Sequence, residues 1–176
     1  MASSIATLAR IAFGPRPEIT CSAGIWQAGV AELRARTLGG RRESGAFLLG
    51  SKTGKGRRIE EFVFYDDVDP ESLSTGIVVI DGRRLGDLWT RCRRIGRSVI
   101  ADIHVHPGSY RQSASDQANP VMAEVGHIAL ILPSYAREAT LPGGIGVHEY
   151  LGARKWRDRS AERPSPFHVG WWPQWA

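Results

Sequence analysis

The sequence has little cysteine and no long hydrophobic run. Its two cysteines, Cys21 and Cys92, are far apart and belong to no paired-cysteine motif. This excludes a cysteine-rich zinc module and a disulfide framework, and it gives no reason to expect an oxidising compartment. No apolar run approaches the roughly 18 residues of a membrane-spanning helix, so no membrane association is expected.

Acidic residues are absent from the first 17 residues, whose two arginines give a faint resemblance to a transit peptide. The apolar stretch there is too short and too interrupted for a secretory signal. We therefore expect a cytoplasmic protein in which residues 1–17 form an N-terminal segment.

Arginine dominates the basic residues, and the formal net charge is +5 with a pI near 9.7. Basic clusters recur at residues 41–42, 52–58, 83–84, 91–97 and 154–159. An acidic partner or a nucleic acid is one interpretation. A solvated surface spread over several elements is the favoured one. No recognised nucleic-acid motif accompanies the clusters, so nucleic acid is not expected as a partner.

Helix and strand signals alternate irregularly along the chain. Helical spacing predicts helices at 23–37, after a possible N-cap at Ser22, and at 82–95, after Asp81. Short apolar runs predict strands at 18–21, 43–50, 59–65, 77–80, 98–106, 126–132 and 146–151. A turn is predicted at 51–58 and a loop at 66–72. This order is typical of the α/β class with a mixed sheet, and 176 residues suit one domain.

The most informative stretch is HVHPGSYRQSASD, residues 104–116. His104 and His106 end a predicted strand, where alternation places both imidazoles on one face and within reach of one ion. Asp116 returns after a loop and one helical turn and can supply a third ligand. Two histidines and a carboxylate leave a fourth position open, which is the arrangement of a catalytic zinc site. Zinc bound in this way lowers the pKa of water from near 16 to roughly 7.

Each of these residues also has a simpler interpretation. Ser113 and Asp116 have the spacing of a helix capping box, and Glu43 could be an ordinary acid at a strand edge. Asp102 and Ile100 are predicted to share the face of the histidines, where Asp102 either supports a ligand or is solvated. Core or hydrogen-bonded roles are favoured for two other histidines, His127 and His148.

Other metal-dependent hydrolase motifs fit less well. Metallo-β-lactamase-type sites need a further Asp-His two positions after the pair, where Gly108 and Ser109 stand. Amidohydrolase barrels need about 250 residues. Zinc deaminases need a paired-cysteine signature.

The sequence resembles the JAMM/MPN (JAB-domain) metalloproteases, and their bacterial branch in particular, over roughly residues 18–152. The family motif is an upstream Glu, then His-x-His-Pro, then Ser-x-x-Asp. The matching residues are Glu43, His104, His106, Pro107, Ser113 and Asp116. The resemblance implies a cytidine-deaminase-like JAB/MPN fold, in which helices flank a twisted mixed sheet. It divides the chain into the segment 1–17, a metalloprotease domain at 18–155 and a Pro/Trp-rich tail at 156–176.

The resemblance also implies an activity and the roles of the site residues. His104, His106 and Asp116 would hold one Zn²⁺ per chain, Glu43 would be the general acid/base, and Ser113 would bind the oxyanion. The implied reaction is hydrolysis after the C-terminus of a ubiquitin-like protein. The implied partners are that protein or its conjugate and ubiquitin-activating or ubiquitin-conjugating proteins. A non-catalytic MPN-type scaffold and an enzyme that trims a sulfur-carrier protein remain alternatives.

Two local features leave further alternatives open. Six residues, Pro107 to Gln112, separate the second histidine from Ser113, one fewer than in the usual family motif, so Ser115 could supply the hydroxyl instead. The tail contains Trp171, Trp172 and Trp175, which could pack on the core or contact a partner. Packing is the favoured interpretation.

Overall fold

The computed structural model describes residues 17–54, 56–137 and 143–170. The strands are Ile19–Cys21 (β1), Gly45–Thr53 (β2), Gly56–Phe64 (β3), Ser98–Val105 (β4), Ile128–Leu132 (β5), Gly146–Gly152 (β6), Lys155–Asp158 (β7) and Phe167–Val169 (β8). They form one eight-stranded sheet with the strand order β7-β6-β5-β4-β2-β3-β1-β8. Three neighbouring pairs are parallel and four are antiparallel.

Helices cover both faces of the sheet. They are Ala23–Arg36 (α1), Tyr65–Val68 (α2), Leu85–Ile95 (α3) and Ala114–Ala118 (α4), with 3₁₀ turns at Gly82–Arg84 and Ser134–Ala136. Helix α1 packs Trp26 and Leu33 into the larger core cluster. Helix α3 packs Leu88 and Cys92 against the other face. The mixed sheet between helices confirms the predicted α/β class.

Local sequence explains where the two longer helices begin and end. The Ser22 side chain accepts the Ile25 N–H and caps α1, as predicted. Arginines in the last turn of α1 complement the helix dipole. Asp81 caps the 3₁₀ turn that leads into α3. Helix α3 ends at Gly96, which adopts a left-handed conformation that glycine accommodates without strain.

Three local predictions were wrong. Residues 77–80 form no strand, because the Val79 N–H bonds the Ser72 carbonyl instead of a neighbouring strand. The turn predicted at 51–58 is much shorter, because β2 and β3 pair as far as Thr53 and Gly56. Helix α2, Tyr65–Val68, occupies the first part of the loop predicted at 66–72.

A β-bulge in β4 overturns part of the predicted face pattern. Leu48 pairs with Ala101 and Leu49 pairs with Val99, so Ile100 is the extra residue. Ile100 therefore packs in the same cluster as Ala101. Val99 lies in the opposite cluster. The prediction that Ile100 shares the histidine face was wrong for this reason.

The sheet continues into the segment that the sequence assigns to the tail. Strand β7 pairs with β6, and β8 pairs in parallel with β1 at the far edge. Phe167 is buried and its ring lies 5.0 Å from that of Trp26. The tryptophans at 171, 172 and 175 and the segment 1–16 lie outside the described residues. No helix of the described part is long and apolar enough to cross a membrane.

Candidate metal centre

The end of strand β4 brings two histidines to one point, because His104 lies in the strand and His106 follows it directly. His104 and His106 are both buried, with 7% and 6% of their surface exposed. Their Nε2 atoms lie 2.9 Å apart. Central strands on both sides fix this geometry, since β4 pairs with β2 and β5.

Asp116 reaches the same point from the short helix α4. Its Oδ2 atom lies 3.1 Å from Nε2 of His106, and its Oδ1 atom lies 3.7 Å from Nε2 of His104. The capping box is also present, because Asp116 accepts the Ser113 N–H and the Ser113 hydroxyl accepts the Asp116 N–H. The two interpretations of Ser113 and Asp116 are therefore compatible: the cap orients the carboxylate that faces the histidines.

The donor set fits a tetrahedral zinc ion. Zinc ligand distances of about 2.0–2.2 Å in a tetrahedral site place neighbouring ligand atoms about 3.3–3.6 Å apart. The three separations above range from 2.9 to 3.7 Å. The ligand atoms of His104, His106 and Asp116 all lie within 4.8 Å of one another. A zinc ion held by these three side chains would keep a fourth position for water or substrate.

Mutual contacts keep the carboxylate of this set ionised. Burial alone would raise the pKa of Asp116, but hydrogen bonds from His104 and His106 hold it well below its usual range. Burial alone would lower the pKa of His104, but Asp116 raises it above its ordinary value. A cation at this point would meet the ionised Asp116 carboxylate.

Glu43 lies next to His104, His106 and Asp116. Gly45 pairs with His104, and the Val105 N–H bonds the Ser44 carbonyl, so Glu43 stands opposite the end of the histidine strand. Burial raises the pKa of the Glu43 carboxyl above its ordinary value, while His104 and His106 act in the opposite direction. A carboxyl with a raised pKa is suited to accept and return a proton near neutral pH.

The segment 76–79 holds Glu43 from the other side. The Glu43 N–H donates to the Gly76 carbonyl at 2.9 Å. The Val78 N–H donates to the Glu43 carboxylate. Through these bonds, the segment that contains the apolar run 77–80 holds Glu43 in place, although the run does not form the predicted strand.

Ser113 and Ser115 are both exposed beside Asp116. The Ser113 oxygen accepts the Asp116 N–H at 3.1 Å, which leaves the hydroxyl proton available for another acceptor. The assignment of the oxyanion donor to Ser113 stays a prediction.

A buried hydrogen-bond network is centred on Asp102 of strand β4. Asp102 is 3% exposed, so the solvated alternative for it was wrong. The Tyr65 hydroxyl donates to its Oδ2 at 2.9 Å, and His127 Nε2 lies 2.6 Å from its Oδ1. Burial and then the charge of Asp102 raise the pKa of Tyr65 well above its ordinary value, so this hydroxyl stays a donor. The sequence did not predict this network, because its members are 25 and 37 positions from Asp102.

A left-handed turn holds the end of the histidine strand. Ser134, Tyr135 and Ala136 all have positive φ values between 52° and 55°. Such a conformation costs a non-glycine residue about 1–2 kcal/mol. The Tyr135 N–H donates to the His106 carbonyl, and the Ser134 N–H donates to the Gly108 carbonyl. The strained turn therefore fixes the chain on both sides of Pro107.

Solved structures of other proteins share this fold. A protein of Desulfitobacterium hafniense superposes with a TM-score of 0.61 at 19% identity, covering 86% of this chain and 92% of that chain. A protein of Salinibacter ruber gives a TM-score of 0.55 at 16% identity, covering 88% and 93%. A JAB1/MPN domain protein of Archaeoglobus fulgidus gives a TM-score of 0.49 at 18% identity, covering 86% and 99%. The two higher scores show the fold.

Among curated proteins, the chain is 31% identical over 84 residues to a probable metalloprotease, y4jG, of Sinorhizobium fredii (strain NBRC 101917 / NGR234). The name of that relative agrees with the cluster of His104, His106 and Asp116 beside Glu43, which could hold a metal ion. This match agrees with the resemblance to the JAMM/MPN metalloproteases. The match covers 45% of this chain and 52% of the relative, so the chain spans about half the length of that protein. No protein-family model matches the sequence.

Proposed function

We propose that this chain is a JAMM-type, zinc-dependent peptidase or isopeptidase that cleaves after the C-terminus of a ubiquitin-like protein. The observation that carries the proposal is the convergence of His104, His106 and Asp116, with Glu43 beside them. A non-catalytic scaffold would not need a buried ligand set next to a carboxyl with a raised pKa.

The three ligands would hold the metal through His104 Nε2, His106 Nε2 and the Asp116 carboxylate. Zinc supplies Lewis-acid chemistry at such a site and lowers the pKa of water to about 7. The two buried imidazoles and the ionised carboxylate are nitrogen and oxygen donors of the kinds that zinc binds.

Glu43 would carry the proton during hydrolysis. Its carboxylate accepts a proton from the water that attacks the scissile carbonyl carbon. It then delivers this proton to the leaving amine nitrogen as the C–N bond breaks. Because its pKa is raised, the protonated and ionised forms of the Glu43 carboxyl differ less in free energy near neutral pH. This favours both the uptake and the release of the proton.

Ser113 would stabilise the negative charge that develops on the scissile carbonyl oxygen. Its hydroxyl proton remains free in the capping box. Loss of one such donor costs about 2.7–4 kcal/mol of barrier in well-studied hydrolases.

The surface beside Glu43 suits a peptide-like substrate. Ile77 and Val79 are 47% and 56% exposed, and they flank Val78, whose N–H holds the Glu43 carboxylate. Apolar side chains exposed next to a site offer contact area to an extended C-terminal tail. Ubiquitin-like proteins end in such a tail, and their activating or conjugating enzymes would be functional partners.

The direct test is cleavage of a ubiquitin-like protein fused through its C-terminus to a reporter, followed by mass spectrometry of the products. We expect cleavage directly after the ubiquitin-like tail, loss of cleavage with a zinc chelator and recovery on addition of zinc. Asp87→Ala, an exposed change on α3, serves as the control and should cleave normally. Zinc-loaded protein that cleaves no fusion would favour the scaffold.

A further inference from the structure

Helix α4 carries Asp116 but is too short to hold it in place. It has five residues, Ala114–Ala118. Isolated helices shorter than about 12 residues are marginal in water. The capping box secures the first turn, so the position of the Asp116 carboxylate depends on contacts that secure the preceding loop and the end of the helix.

Strand β6 holds the loop that leads into α4. His148 is buried, and its Nε2 atom lies 3.1 Å from the Tyr110 carbonyl oxygen. Burial lowers the pKa of His148 below its ordinary value, which favours a neutral ring that donates from one nitrogen. The loop lies so close to β6 that a Cβ atom on Gly146 would be 2.2 Å from the same carbonyl oxygen.

Strand β7 holds the other end of the helix. The Trp156 Nε1–H donates to the Gln117 carbonyl oxygen at 3.2 Å. The Trp156 ring packs edge-on against Tyr150, with 4.9 Å between the ring centroids. Tyr150 is buried on β6, so the indole has a fixed support.

From these contacts we infer that the β6–β7 hairpin is the positioning element of the metal site: His148 and Trp156 bind the backbone on either side of Asp116 and preset its carboxylate opposite the histidines. The inference rests on the proposed function, because it assigns these residues to the same metal site. Neither residue touches the substrate or the reacting atoms in this account. Residues that orient metal ligands in this way typically change metal affinity by about 10–100-fold when they are replaced.

The test is the zinc dissociation constant of the full-length apoprotein, measured by competition with a chromophoric chelator. His148→Leu removes the donor at similar volume, and Trp156→Phe removes the indole N–H but keeps a ring on Tyr150. We expect about 10–100-fold weaker zinc binding in each. His148→Gln keeps an amide donor and should stay within about threefold of wild type. Trp89→Phe on α3 makes the same ring change in the other core cluster and should bind zinc like wild type.

Circular dichroism and urea unfolding of each apoprotein separate positioning from folding. A purely structural role would shift the unfolding midpoint without changing the zinc affinity of the folded protein.

Equal zinc affinity in wild type, His148→Leu and Trp156→Phe would overturn the inference while leaving the metal site intact. An equal loss in His148→Gln and His148→Leu would contradict the role of the donor. Absence of zinc binding in wild type would instead overturn the proposed function, and the inference with it. Trp156→Phe retains its packing, so the test stands if His148→Leu does not fold.

Discussion

Replacing Glu43 by Gln is expected to lower the rate of peptide hydrolysis by about 10²–10⁴-fold, the usual contribution of a general acid or base. Gln has the same shape but cannot accept a proton from water. The Val78 N–H can still donate to the side-chain oxygen, so the backbone of segment 76–79 should keep its place. Zinc affinity should stay near that of wild type, because Glu43 is not one of the three converging ligands.

The two readouts are kcat/KM for a ubiquitin-like fusion and zinc content after gel filtration. Glu71→Gln is the matched control, since Glu71 is exposed in the segment that leads to Ile77. This control should leave both readouts unchanged. If Glu43→Gln keeps full activity, another residue must move the proton. If it loses zinc, Glu43 is a ligand rather than the base.

Replacing Asp102 by Ala is expected to destabilise the protein by about 3–5 kcal/mol, because it removes the shared partner of two buried polar groups. Tyr65 is 0% exposed and His127 is 6% exposed, so neither can turn to bulk water without disturbing the core. At this chain length the loss corresponds to a decrease in Tm on the order of 10 °C. Tyr65→Phe removes only one of the two bonds and should cost about 1–3 kcal/mol.

Urea unfolding of the apoproteins measures these free energies. Asp87→Ala is the control, because Asp87 is exposed on α3, and we expect a change within about 1 kcal/mol. A loss below about 1 kcal/mol in Asp102→Ala would show that the Tyr65–Asp102–His127 network does not contribute to stability as the distances suggest.

Local patterns were sufficient to predict the histidine strand and the convergence of His104, His106 and Asp116. Alternation along β4 places His104 and His106 on one face, and the Ser-x-x-Asp spacing predicts both the cap and the direction of Asp116. Strong local signals also predict α1 from Ser22 and the end of α3 at Gly96. These features depend on residues close together in sequence, which is why a single sequence reveals them.

Features that depend on distant residues were missed. The bulge at Ile100 arises from the register against β2, which no local pattern specifies. The apolar run 77–80 has the composition of a strand, but its backbone bonds Ser72 and Glu43 instead. The partners of Asp102 are His127, which directly precedes β5, and Tyr65, the first residue of α2. Only tertiary structure brings them together. Pairing of β8 with β1 joins the two ends of the described chain and has no sequence signature.

Elemental analysis shows directly whether His104, His106 and Asp116 form a zinc site. The measurement is metal content per chain, by inductively coupled plasma mass spectrometry, for wild type and His106→Ala purified without added chelator. We expect one equivalent of zinc in wild type and little in His106→Ala. Wild-type protein that holds no metal, even after incubation with zinc, would contradict this expectation.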